Sequence, residues 1–351
     1  MKIDKFIDKK PFVIAGPCSA ESQDQLLQIA TNIKSSVDVF RAGVWKPRTM
    51  PNSFEGVGKV ALGWLKKVKD ETGLQVATEV ATAKHVELCL ESGIDMLWIG
   101  ARTTVNPFYV QEIAEALSGV DIPIFVKNPI HPDLSLWIGA LERLNNKGIT
   151  KLSAIHRGFF TYESSAYRNE PKWELPIDLK RNLPDLPIIC DPSHISGNTH
   201  LIEEITQIAM DLDMNGLMIE THNNPSEAWS DAKQQLTPKQ LINILDKLVL
   251  RKKNFEDSNL NNELNFLREK IDILDSDLVE KLNLRTSLVK NIANLKLENN
   301  ITIFQLDRWF QILEERQNQA LRNSMDPKMV SDMFKLIHKY SILTQSKIMN
   351  K

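Results

Sequence analysis

Eight short runs of β-branched and apolar residues recur between residues 11 and 235, most of them separated by segments of helical periodicity. They are FVIAG (12–16), VDVFRAG (37–43), LQVATEV (74–80), DMLWIGA (95–101), PIFVKN (123–128), KLSAIHRG (151–158), PIICDPS (187–193) and GLMIETH (216–222). Most are too continuously apolar to keep one face in water, so they read as parallel strands buried on both sides. Helical patterns at 23–34, 61–72, 82–92 and 198–212 alternate with them, and a last one spans 238–250. This alternation predicts an α/β fold, a (β/α)8 barrel of the TIM type, over residues 1–250. An open doubly wound sheet is the alternative, but no GxGxxG fingerprint follows the first strand.

The pattern then changes. Residues 251–263, RKKNFEDSNLNNE, are charged and Asn-rich without apolar periodicity, and read as a linker. Leu264, Leu267, Ile271, Leu274, Leu278 and Leu282 follow at three- and four-residue spacing, a long helical stripe. Asp326-Pro327 separates a second helix (306–323) from a third (329–347), so residues 264–351 read as a small all-α helical domain. A formal net charge of −2 gives no general attraction to nucleic acid or an anionic membrane, so any anion site must be local. The charged N-terminus, MKIDKFIDKK, lacks the apolar core of a signal peptide, and no run is long enough to span a bilayer. Cys18, Cys89 and Cys190 are an odd count, which argues against a disulfide framework and for the cytoplasm.

In such a barrel the active site lies at the C-terminal ends of the strands. In strand order those ends carry Cys18; Arg41 and Lys46; Glu79; Arg102; Lys127; His156 and Arg157; Asp191 and His194; and Glu220, with Asp231 eleven residues later. A lone residue of this kind is usually a surface charge, but charges from all eight strands must crowd around one mouth. Arg41, Lys46, Arg48, Arg102, Lys127 and Arg157 repel one another unless an anion neutralises them, which predicts a site for phosphate groups. Cys18, His194, Glu220 and Asp231 offer one thiolate, one imidazole and two carboxylates, a set suited to one divalent metal such as Mn, Fe, Co or Zn. The plainer roles are a small core residue for Cys18 and a helix cap for His194.

GPCSAES, FRAGVWKPRT, GARTT, DPSH and the spaced Glu220 and Asp231 resemble 3-deoxy-D-arabino-heptulosonate 7-phosphate (DAHP) synthase, in its short-barrel form without an N-terminal regulatory extension. The sister 3-deoxy-octulosonate phosphate synthases carry a KANRSS-type stretch where this chain has KPRTMP. The resemblance implies condensation of phosphoenolpyruvate with erythrose 4-phosphate, with Lys46, Cys18 and His194 among the catalytic positions. It also implies phosphoenolpyruvate on Arg41, Lys46, Arg102, Lys127 and Arg157, and erythrose 4-phosphate on Arg48 and Thr49. Pro47, with its fixed φ, would keep the two contacts apart.

In the helical segment, LREKIDILDSDL, NLRTSLV and the terminal SILTQ resemble the helical chorismate mutase family. That implies chorismate binding by Arg268, Arg285, Lys296, Arg308, Ser341 and Gln345, with Arg285, Lys296 and Gln345 catalytic. Gln305 and Trp309 stand where the family usually has acids, the second of which recognises the substrate hydroxyl. A helical domain kept as a feedback sensor is the non-enzymatic alternative. Arg268 and Arg285 are seventeen residues apart, or about 25 Å along one helix. A chorismate-sized ligand cannot span that distance, so a shared site implies a homodimer through the helical domain.

Overall fold

The computed structural model describes residues 1–47, 52–162, 165–252 and 258–350. Eight strands, β1 (Phe12–Gly16), β2 (Val39–Arg41), β3 (Gln75–Val80), β4 (Met96–Ile99), β5 (Ile124–Lys127), β6 (Leu152–His156), β7 (Ile188–Cys190) and β8 (Gly216–Glu220), close into one barrel in chain order. All neighbours are parallel, and β1 closes on β8 with Phe12 opposite Gly216 and Gly16 opposite Glu220. Arg48 and Thr49, expected to hold erythrose 4-phosphate, lie outside the described residues.

Alternate strand residues face opposite sides of a sheet, and here both sides are apolar. Ile14, Val39, Ala77, Trp98, Phe125, Ile155, Ile189 and Met218 fill the barrel interior, joined by Phe6 and Ile7 of the N-terminal segment. Val13, Phe40, Val76, Leu97, Val126, Ala154, Ile188 and Leu217, one residue out of phase, pack with the surrounding helices.

Two residues beyond the interior set, in the same phase, come Arg41, Glu79, Lys127, Arg157, Asp191 and Glu220. The barrel therefore ends in a ring of charge stacked directly on its apolar core. The same phase corrects one expectation. His156 was placed on the rim with Arg157, but it points outward, packed near Phe159 and Trp173 with ring centroids at 5.8 and 5.1 Å.

The strand-to-helix turns decide where the remaining rim residues sit. Asp191 caps the short helix Pro192–Ser196, its side chain accepting from the His194 backbone N–H, and so brings His194 to the mouth. Gly197 ends that helix in a left-handed conformation, and the next helix begins at Ile202 rather than near 198.

The described chain divides into two compact units, Met1–Arg251 and Lys252–Lys351. The second consists of helices Ser258–Glu298, Leu306–Arg322 and Pro327–Met349. Residues 258–263, read as linker, are the start of the first of these helices. The charged and Asn side chains there favour solvent, and solvent is also where the flank of a helix can lie. The apolar stripe is uncovered in a single chain: Leu267, Ile271, Leu274 and Leu278 are each at least half exposed, from 50% to 61%.

Candidate functional site

One donor set gathers at the mouth. Ligand atoms of Cys18, Glu220 and Asp231 lie within 4.8 Å of one another. They come from the turn after β1, the end of β8, and a left-handed residue (φ 48°) opening a short 3-10 turn. Asp231 Oδ2 is 3.4 Å from Cys18 Sγ. His194 stands beside the set, its Nδ1 2.8 Å from Asp191 Oδ2 and its Nε2 3.8 Å from Glu220 Oε1. A carboxylate on one ring nitrogen leaves the other directed at the donors, the usual arrangement of a metal-binding imidazole.

The surroundings tune these groups. Burial and the Glu220 charge push the Cys18 thiol up to about 12, against the pull of Lys46. Burial would raise the Asp231 carboxyl, but Arg168, His194 and Lys46 outweigh it and hold it well below the ordinary range. The same contest at Asp191 is won by His194 and Lys127. The donor set therefore combines a thiol that must lose its proton to bind a metal with carboxylates already ionised. Thiol, imidazole and carboxylates together fit a divalent first-row transition metal.

Beside the donors lies a cleft lined by Lys46, Pro47, Glu79, Ala101, Arg102, Lys127, Arg157, His194 and Asp231. Lys127 is buried and paired with Asp191 at 2.9 Å. Arg157 donates to Asn169 Oδ1 at 2.8 Å. Its guanidinium is pulled down to about 10 by burial, against Asp191 and with Arg168 and Arg102 adding repulsion. An anion in the cleft would relieve that repulsion. Glu79 accepts from Trp98 Nε1 at 2.8 Å, so its carboxylate is held in place at the cleft wall.

Two expected substrate cations also contact the donor set. Arg41 is buried; it donates to Glu220 Oε1 and to the Cys18 carbonyl, each at 3.0 Å, and its guanidinium lies 4.8 Å from the Trp98 ring centre. Lys46 Nζ contacts the Cys18 carbonyl oxygen and lies 3.0 Å from its sulfur. Sequence reasoning missed Gln234, which donates to Glu220 Oε2 at 2.7 Å, and the loop residues Arg168 and Asn169. None lies in a periodic segment, so no pattern in the chain singles them out.

In the helical unit Arg285 donates to Ser341 Oγ at 2.7 Å, and both line a cavity of about 260 Å³ with Leu282, Val289, Ile337 and Tyr340. Gln345, one turn beyond Ser341, is buried with its Oε1 unpartnered. Lys296 donates to the Ile303 carbonyl, Arg308 to Gln311, and the exposed Arg268 lies beside Asn265. Trp309 stacks on His338 with ring centroids 3.9 Å apart.

Residues 2–256 match the family model described as the DAHP synthetase I family. The chain belongs to that family. Residues 267–346 match a second model, chorismate mutase type II, so this family member carries a mutase-type domain after its barrel. The phospho-2-dehydro-3-deoxyheptonate aldolase of Thermotoga maritima is 31% identical over 225 residues, 64% of this chain and 64% of that protein. A 2-dehydro-3-deoxyphosphooctonate aldolase of Campylobacter jejuni is 27% identical, over 69% of this chain and 96% of that one. A crystal structure of the Thermotoga maritima DAHP synthase superposes with a TM-score of 0.61 at 29% identity, covering 68% of this chain and 67% of that one. No helix among the described residues is long and apolar enough to cross a membrane.

Proposed function

We propose that this family member is a bifunctional enzyme. Its barrel condenses phosphoenolpyruvate with erythrose 4-phosphate and water to give DAHP and inorganic phosphate; its helical unit rearranges chorismate to prephenate. The observation that carries the first activity is a cationic cleft sharing one barrel mouth with the Cys18–Glu220–Asp231 donor set. In this reading Arg41, Lys46, Arg102, Lys127 and Arg157 bind the phosphate and carboxylate of phosphoenolpyruvate, and Arg48 and Thr49 bind the aldose phosphate. Cys18, His194, Glu220 and Asp231 hold one divalent metal, which when bound supplies Lewis-acid polarisation of the aldehyde. In this reading Glu79, on the cleft wall, handles the proton of the water that adds to C2. Arg41 and Lys46 also touch Cys18, which joins the phosphoenolpyruvate cations to the metal donors.

The test is phosphoenolpyruvate consumption by the purified protein with erythrose 4-phosphate and, separately, with arabinose 5-phosphate. Preference for arabinose 5-phosphate would assign the octulosonate reaction of the other relatives instead. Three free, buried thiols suit the reducing cytoplasm.

For the helical unit the supporting observation is Arg285 bound to Ser341 in one cavity, with Gln345 orphaned one turn away. Arg268 lies about 25 Å from Arg285 on the continuous helix Ser258–Glu298, so we infer that a partner chain supplies it. The uncovered apolar stripe supports such a homodimer. Co-expressed Arg268→Ala and Arg285→Ala chains should recover part of the function that each homodimer loses; no recovery in proven heterodimers would place each site within one chain. The Trp309–His338 stack, where an acid is usual, favours a second reading: binding without turnover, as a sensor through which prephenate or chorismate inhibits the barrel. Chorismate turnover separates the two.

A further inference from the structure

The loop between β6 and the helix Glu174–Asn182 carries two consecutive residues, Arg168 and Asn169, whose side chains reach different parts of the mouth. Arg168 NH1 donates to Asp231 Oδ1 at 3.0 Å and to Gln234 Oε1 at 2.7 Å. Gln234, itself buried, donates onward to Glu220 Oε2 at 2.7 Å. One guanidinium thus holds Asp231 directly and Glu220 through one amide. With Oδ1 occupied, it is Asp231 Oδ2 that turns toward the Cys18 sulfur.

Asn169 does the corresponding work on the other side. Its Oδ1 accepts from Arg157 NH1 at 2.8 Å, and its Nδ2 donates to the His194 carbonyl at 2.7 Å. The backbone seats both residues. The Arg168 and Asn169 N–H groups donate to the Ser196 and Ile195 carbonyls, and Phe159 and Glu170 exchange main-chain hydrogen bonds across the base of the loop. The seat also requires two glycines. Gly197 (φ 68°) and Gly158 (φ 74°) are left-handed, and a Cβ on either would overlap Arg168 or Asn169 respectively.

A half-exposed loop arginine beside a carboxylate is ordinarily a surface ion pair of small consequence. Here the same nitrogen also grips a buried amide, and the neighbouring residue is locked to the phosphate side of the cleft. We propose that Arg168 is a positioning residue for the metal donors and Asn169 for Arg157, so that this dipeptide ties the metal half of the site to the anion half. The proposal rests on the metal and phosphoenolpyruvate reading given above. Two effects of Arg168 oppose each other toward a divalent ion. Its charge repels the ion, but that charge is already paired with Asp231 and partly solvated, so it is screened. Glu220 is held by Arg41 as well, but the cation that grips Asp231 Oδ1 is Arg168, so orientation of Asp231 decides the sign.

Metal-stripped full-length protein is titrated with Co(II), following the thiolate-to-cobalt absorption that reports Cys18. Wild type should develop the band. Arg168→Ala should weaken Co(II) affinity by roughly ten- to a hundredfold, the usual effect of losing an outer-shell partner. Arg168→Lys, which restores a donor without the fork, should fall between. Asn169→Ala should weaken phosphoenolpyruvate binding to the metal-free protein by about tenfold, measured by calorimetry. Arg168→Ala binding Co(II) as tightly as wild type, or more tightly, overturns the assignment of Arg168, and an unchanged phosphoenolpyruvate Kd overturns that of Asn169. If Arg168→Ala does not fold, Arg168→Gln is held to the same criterion. A wild-type protein without the thiolate band overturns the metal reading itself and the role of Arg168 with it.

Discussion

Replacing Arg41 by Met should destabilise the barrel severely, through a carboxylate rather than through lost packing. Met replaces the aliphatic stem with an unbranched apolar chain, so little cavity forms, although the guanidinium over Trp98 is lost. What remains is Glu220, 0% exposed, without the cation that donates to its Oε1 at 3.0 Å. Breaking one side of a buried ion pair costs about 3–5 kcal/mol, because the surviving charge is stranded. For a unit of residues 1–251, about 2–4 °C per kcal/mol converts this to a fall in Tm of roughly 6–20 °C. The assay is calorimetry and chemical denaturation in chelator, since a metal bound to Glu220 would mask the loss. If the stranded charge is the cause, Glu220→Gln in the Arg41→Met background should recover about 2 kcal/mol relative to the sum of the single variants. The pH dependence supplies a further check. Burial would raise the Glu220 carboxyl, but His194 and Arg41 hold it below its ordinary value. Without Arg41 it should take up a proton at higher pH, so the deficit of Arg41→Met should narrow between pH 7 and 5. Strict additivity of the two substitutions would refute the reasoning.

Burial and Arg157 lower His156 to about 3, against the opposing pull of Asp191 and the Pro171 backbone. The unfolded chain binds a proton near pH 6.5 that the folded one refuses, so stability falls as pH drops from there toward about 3, by up to about 1.4 kcal/mol per unit. His156→Leu should flatten that slope in denaturation at pH 7 and 5, and a slope equal to wild type would refute it. Chelation should abolish the synthase and added divalent metal restore it. Cys18→Ser should raise the metal requirement while Cys89→Ser, buried in the helix Ala83–Glu91 away from the mouth, should not; full activity in chelator would sink the metal assignment. Lysine at Ile271 and Leu278, two of the exposed stripe positions, should dissociate the proposed dimer in sedimentation, and an unchanged mass would dismiss the stripe as its interface.

The barrel and its charged rim are legible in the chain because both are periodic. A strand buried on two faces must be apolar along its length, and a closed parallel sheet sends every strand end to one mouth. Residues 39, 77, 125, 155, 189 and 218 are therefore interior, and the charge two places after each belongs to the rim. The amphipathic stripe of the helical unit is legible for the same reason, although no period says what covers it. Only tertiary structure decided how the rim charges are paired. Arg41 and Glu220 are 179 positions apart, Cys18 and Asp231 213 apart, and each finds its partner only when β1 closes on β8. Closure paired Arg41, an expected substrate cation, with Glu220. It also brought Arg168, Asn169 and Gln234 from aperiodic loops into the site. A side chain's direction follows from local backbone periodicity, but its partner depends on distances set by the closed barrel.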